Sequence, residues 1–175
     1  MLLVTIVGPI ASGKSTIAEE LGRALRKRGR SVAVVDLDDV VEGVGGFSTL
    51  TAERFRDAQL VLGDLVASWL RRDVDVIAHG PFFHPEEDAA LVHAVPAETT
   101  VRRVRLHTTY EVALERVSVD PARALSKNPA LVRLTYDRVA DLLPVMAPAD
   151  WEFDTTQTSV DQVVATLVSE LPDTT

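Results

Sequence analysis

The chain contains no cysteine in 175 residues. That excludes disulfides, thiolate catalysis and Cys-based zinc sites, and it fits a reducing cytoplasm as the expected location. Aromatic residues make up only 5% of the sequence. No apolar run approaches the ~18 residues a membrane span requires, so no membrane partner is expected. Positive charge is in short supply, with 18 Lys and Arg against 26 Asp and Glu and a net charge of −8. A general nucleic-acid binder would present a basic face, which argues against nucleic acid as a partner while leaving room for a local basic pocket. An apolar strand pattern starts almost at once, with no basic n-region of a secretory leader before it. Internal repeats and low-complexity stretches are also missing. What remains is ordinary globular composition, 46% hydrophobic and 25% charged, read as one domain over residues 1–175.

Against that background one stretch stands out, Gly8-Pro-Ile-Ala-Ser-Gly-Lys-Ser-Thr16. It fits G-x-x-x-x-G-K-[ST] at every fixed position. The β-branched run Leu2–Val7 precedes it, and Ile17, Leu21 and Leu25 follow at helical spacing. Strand, glycine-bearing loop and helix are the context in which such a loop cradles phosphates. Glycines let successive N–H groups close around phosphate oxygens, and the helix N-terminus adds attraction for anions. Gly8, Ala11, Ser12, Gly13, Lys14, Ser15 and Thr16 are therefore the expected nucleotide contacts. Lys14 would reach the β- and γ-phosphates and the Ser15 hydroxyl would sit on Mg²⁺.

Further along, the pattern alternates. A helix is expected from about Lys14 to Arg28, with Gly29 closing it, and then a strand over Ser31–Asp36. Asp36 and Asp38 form a D-x-D which, if it continues the strand, puts both carboxylates on one face. Residues 42–50 read as loop. A helix over Thr51–Arg71 takes Phe55, Ala58, Leu60, Val61, Leu65, Trp69 and Leu70 as its apolar face. Strands follow at Val74–His79, Thr100–Leu106 (unusually basic for a central strand) and Trp151–Thr156. Helices are expected over 86–94, 110–117, 131–143 and 159–171, and an irregular flap over 118–129. Such alternation predicts a three-layer α/β/α fold of the P-loop NTPase kind, with a mainly parallel sheet of about five strands and a lid segment.

In element order and in these residues the chain resembles the small P-loop kinases. The nearest groups are the shikimate and gluconate kinases and the chloramphenicol-type antibiotic phosphotransferases. Besides the phosphate loop, the resemblance rests on Asp36-x-Asp38, Gly80 after the third strand, Arg116 before the flap, and Asp154-Thr155-Thr156 ending the last strand. It implies that Asp36 assists Mg²⁺ and that Asp38 binds and deprotonates an acceptor hydroxyl. Arg116 and Arg123 would be lid arginines folding over the transferred phosphoryl group, and Thr156 would lie near the adenine. Residues 40–72 would bind the acceptor and 117–130 would form the lid. The third strand ends Ala78-His79-Gly80-Pro81, where shikimate kinases carry Gly-Gly-Gly, so the likeness reaches the reaction type and not the acceptor. Arg54, Gly80, Pro81 and Phe82 are candidate acceptor contacts. His79 and His84 flank the same loop, and a structural or surface role is the leading reading for each.

The expected activity is transfer of the ATP γ-phosphoryl group to a hydroxyl of a small molecule. A nucleoside or nucleotide kinase is the alternative within that class. A nucleotide-dependent switch is the alternative outside it, but no Asn-Lys-x-Asp base-reading sequence is present, nor an apolar run ending Asp-Glu. The pattern leaves monomer and homodimer equally open.

Overall fold

The computed structural model describes residues 1–119 and 128–172. Its centre is β1 (Leu2–Val7), in which Leu2 to Ile6 are all buried. This strand opens the chain yet lies in the middle of a five-stranded sheet ordered β2-β3-β1-β4-β5, with every pairing parallel. The other strands are β2 (Val32–Asp36), β3 (Asp75–Gly80), β4 (Thr100–His107) and β5 (Trp151–Asp154). Parallel neighbours need crossover connections, and helices supply them on both faces.

On one face Val4, Ile6 and Ile77 pack against Ile17, Leu21 and Leu25 of α1 (Lys14–Lys27) and Val163 and Leu167 of α7 (Val160–Glu170). On the other, Leu3, Val76 and Ala78 meet Leu62, Val66 and Leu70 of α3 (Ala52–Leu70) and Leu91 of α4 (Pro85–Val92). Among the described residues the remaining α-helices are α2 (Leu37–Gly43), α5 (Tyr110–Val119) and α6 (Pro129–Leu142), with one 3-10 turn at Phe47–Thr49. The α/β class, the parallel sheet and its strand number agree with the sequence reading.

Two local expectations are corrected. The strand does not continue past Asp36. Asp36 caps a helix instead, its carboxylate accepting from the Asp38 N–H at 3.0 Å, and α2 occupies residues read as strand end and loop. The driving feature is chemical: an Asp at the N-cap followed by Asp38 and Asp39 in the first turn suits a helix start. Helix α3 is also turned relative to the expected face. Leu60, Val61, Leu65 and Trp69 are exposed, whereas Gln59, Leu62, Gly63, Val66 and Ala67 point inward. Residues 58–70 are apolar nearly all round, so periodicity leaves the helix phase open. Gly63 sets it, because a Cβ there would lie 2.4 Å from the Ala90 carbonyl of α4.

The basic strand is where the sequence places it, and its charges have partners. Arg103 holds Asp88 through two bonds of 3.0 and 2.9 Å, Arg102 pairs with Asp150, and buried Arg105 pairs with Glu152 and donates to the Ala147 carbonyl. These arginines tie β4 to its flanking segments, which is why a strand next to β1 can carry them. No described helix is long and apolar enough to cross a membrane.

Candidate active site

The phosphate loop leaves β1 at Gly8. A Cβ on Gly8 would come within 2.6 Å of Ser12 Oγ and 2.7 Å of the Leu106 carbonyl, so the close seat of the loop on β4 requires glycine. Gly13, at φ 93°, and Ala11, at φ 60°, take the left-handed conformation that curls the loop. Ala11 adopts it at a cost of roughly 1 kcal/mol, which the contacts around it must offset. Lys14 opens α1 and folds back over the loop, its ammonium donating to the carbonyls of Gly8 at 2.8 Å and Pro9 at 3.0 Å. Ser15 and Thr16 are exposed on the first turn.

Behind the loop, Arg116 from α5 donates to the Ala11 carbonyl at 3.0 Å and to Thr155 Oγ1 at 3.0 Å and its carbonyl at 2.7 Å. Thr155 Oγ1 in turn donates to the Ser12 carbonyl, and Tyr136 of α6 donates to the Ile10 carbonyl. Arg116 is therefore held against the loop in this structure, where the resemblance implies a lid arginine. Its three acceptors are backbone or near-backbone groups, which hold the guanidinium where it is. Arg123, its proposed companion, lies outside the described residues.

A cavity of about 350 Å³ opens between the loop and the last strand, lined in part by Ser12, Gly13, Thr16, Arg116, Thr155 and Thr158. That volume is in the range for a ligand pocket. Thr156, the residue expected there, is not on its wall. It bonds Asp154 instead, whose carboxyl these bonds hold below the usual range, and its neighbours Thr155 and Thr158 take the place.

Across the loop lie the carboxylates. Burial raises the Asp36 pKa, partly countered by the Asp38 N–H. Asp38 reaches solvent at its rim but is closely walled by protein. Its pKa is raised first by that desolvation and next by the Asp36 charge, with Lys14 pulling the other way. His79 sits beside them, buried, with Nδ1 3.4 Å from Asp36 Oδ1. Burial and the nearby Lys14 depress its pKa to about 4, so the ring is neutral at physiological pH. Lys14, Asp36 and Asp38 thus gather at one mouth, as the D-x-D reading expects, although a helix N-terminus and not strand alternation brings the two carboxylates together. His79 was singled out only weakly by sequence. Its signal is its place in register with Asp36.

The acceptor candidates divide. Phe82 is buried in the core beside Leu3, Leu37 and Val41, which corrects its assignment as a substrate contact. Gly80, also buried, provides room, since a Cβ would meet the Phe82 ring at 2.9 Å and Leu37 Cβ at 3.0 Å. Pro81 is half-buried between them. Arg54 stands exposed on the first turn of α3, with its backbone N–H on the capping Thr51 hydroxyl. His84 caps α4, accepting from the Glu86 N–H while Glu87 accepts from the His84 and Phe83 N–H groups.

Solved structures share this architecture at low identity. APS kinase from Mycobacterium tuberculosis, in complex with AMPPNP and APS, superposes with a TM-score of 0.70 at 20% identity, covering 95% of both chains. Shikimate kinase from Acinetobacter baumannii, in complex with shikimate, gives 0.66 at 20%, covering 95% of this chain and 90% of that one. A gluconokinase from Sinorhizobium meliloti 1021 gives 0.66 at 18%, covering 95% and 91%. The fold is that of the small P-loop kinases, as the resemblance implied. No curated protein sequence matches the chain. Residues 3–128 match the P-loop family described as AAA domain, and the chain belongs to that family.

Proposed function

We propose that this AAA-domain protein is an ATP-dependent kinase that transfers the γ-phosphoryl group to a hydroxyl of a small-molecule acceptor. The observation that carries the reading is the meeting of Lys14, Asp36 and Asp38 at the mouth of the phosphate loop, with the Asp38 pKa raised. A carboxylate so placed suits a base that takes a hydroxyl proton beside the transferring phosphate. The fold shared with kinases that carry metabolites in their structures supports the same class.

In this reading the loop N–H groups and Lys14 bind the triphosphate. The cavity walled by Arg116, Thr155 and Thr158 takes the nucleoside. Asp38 orients the acceptor hydroxyl and receives its proton. The donor set also fits Mg²⁺: the Ser15 hydroxyl and the Asp36 carboxylate are hard oxygen ligands flanking the loop. When bound, Mg²⁺ would supply charge neutralisation on the phosphates. A cytoplasmic location and a small-molecule partner accord with this activity.

The test is ADP release with Mg²⁺ and ATP across a panel of hydroxylated metabolites, nucleosides and antibiotics. One acceptor class should raise turnover, and Lys14→Ala should abolish it. Asp38→Asn should lower kcat by roughly 100-fold or more while nucleotide affinity changes little. A panel on which no acceptor raises turnover, together with an Asp38→Asn variant as active as the parent, would defeat the reading.

A further inference from the structure

One buried group near the cleft has no part in that reading. His79 is the penultimate residue of β3 and is 4% exposed. It pairs in register with Asp36 on β2 and Ile6 on β1, so the ring lies at the carboxyl end of the sheet between the acidic strand and the strand that carries the phosphate loop. Its Nδ1 is wholly enclosed and has no hydrogen-bond partner among the described residues. A ring nitrogen buried without a partner is costly and needs an account. Asp36 Oδ1 lies 3.4 Å from it. The same oxygen accepts from the Asp38 N–H, which ties Asp36 to the first turn of α2. Both contacts fall on Oδ1, and Oδ2 takes part in neither.

We propose that His79, with its proton on Nδ1, is the positioning residue for Asp36: it donates to Oδ1 and leaves Oδ2 for the metal that Asp36 would assist. The inference rests on the reading of Asp36 as the carboxylate that assists Mg²⁺. Because Asp36 also caps α2, the imidazole fixes the helix turn that carries Asp38 as well. Hydrogen bonds of this kind are often long before substrate binds and tighten in the loaded complex, in keeping with a separation of 3.4 Å here. Groups that orient a metal-assisting ligand in this manner commonly matter 10- to 100-fold in metal affinity.

The test measures binding of a fluorescent ATP analogue with and without Mg²⁺, using wild type, His79→Leu, His79→Asn and Lys14→Ala. His79→Leu should lose about tenfold of the Mg²⁺-dependent gain, with metal-free affinity within about twofold of wild type. His79→Asn, which keeps an N–H donor close to the Nδ1 position, should retain the gain within about threefold. Long-range ¹H–¹⁵N spectra of the wild-type ring at neutral pH should show the proton on Nδ1. A His79→Leu variant that keeps its full Mg²⁺ gain overturns the proposal, even if its melting temperature falls, because a packing role would act on stability alone. A proton found on Nε2 overturns it too. Should His79→Leu not fold, the Asn variant and the spectra decide. A wild type that binds nucleotide no better than Lys14→Ala would instead defeat the kinase reading, whatever the tautomer.

Discussion

On the nucleotide side of the cleft the phosphate loop is tied to distant parts of the chain, whereas on the α2–α3 side Asp38 and Arg54 stand on helix ends and reach solvent. Arg116, Thr155 and Tyr136 all grip the loop of residues 8–13 through its carbonyls. Opposite them, Asp38 rides on a seven-residue helix, and Arg54 projects from a first turn held by one capping hydroxyl. Phosphate binding is the same task for every acceptor, so that wall can be rigid. Acceptor choice is made by side chains, which need a surface that sequence change can alter without loss of fold.

Four measurements break or sharpen this contrast. Lys14→Ala should have the largest effect, lowering nucleotide affinity about 100-fold or more in a fluorescence titration, since a charge-assisted contact to phosphate goes with it. Arg116→Ala comes next. Its loss frees the Ala11 and Thr155 acceptors and should destabilise the fold by about 3 kcal/mol in urea unfolding, with nucleotide affinity falling as well.

The third is a pH effect on the metal-free protein. His79 is depressed to about 4, so between about pH 6.5 and pH 4 the unfolded chain takes up a proton that the buried ring refuses. Stability therefore falls as pH drops through that window, by at most about 3 kcal/mol. Asp36 and Asp38, raised by burial, act in the opposite sense: the folded chain holds their protons more tightly and gains as pH falls toward the ordinary carboxylate range. Denaturant melts from pH 7 to 4 should thus show a steeper loss in wild type than in His79→Asn. Equal slopes would mean the ring is not protected from protonation. The smallest effect belongs to Arg54→Ala, which should leave stability within about 0.5 kcal/mol and nucleotide affinity unchanged. Only the acceptor KM should rise, severalfold. A change in nucleotide binding would erase the division between the two walls.

The same division explains what could be read from residues alone. The phosphate loop is legible because its chemistry is backbone chemistry: Gly8, Gly13 and Lys14 hold fixed places in any chain that does this. The sheet is legible because β1 is an unbroken apolar run, and buried parallel strands have no other pattern to show. The D-x-D was read as continuing a strand, whereas Asp36 caps a helix, and a cap looks like a strand end when only apolar periodicity is followed. Arg116 was found, but its partners, Ala11 and Thr155, were not, because a side chain's bonds to backbone leave no mark in sequence. Phe82 and the outward Leu60, Val61, Leu65 and Trp69 show the limit of apolar patterning. It marks what can be buried, and only a neighbouring element such as the Ala90 turn against Gly63 decides what is.

The bond from Thr155 Oγ1 to the Ser12 carbonyl spans 143 residues. During synthesis the loop emerges early and its clasp arrives only near the end, after β5 has been made. β1 waits as well, because its partners β3 and β4 come long after it. A nascent chain cut short before residue 150 would carry the complete phosphate-loop sequence yet lack Thr155, one of the residues that hold it shut. The clasp of the phosphate loop is thus completed only when the last strand of the sheet has been made.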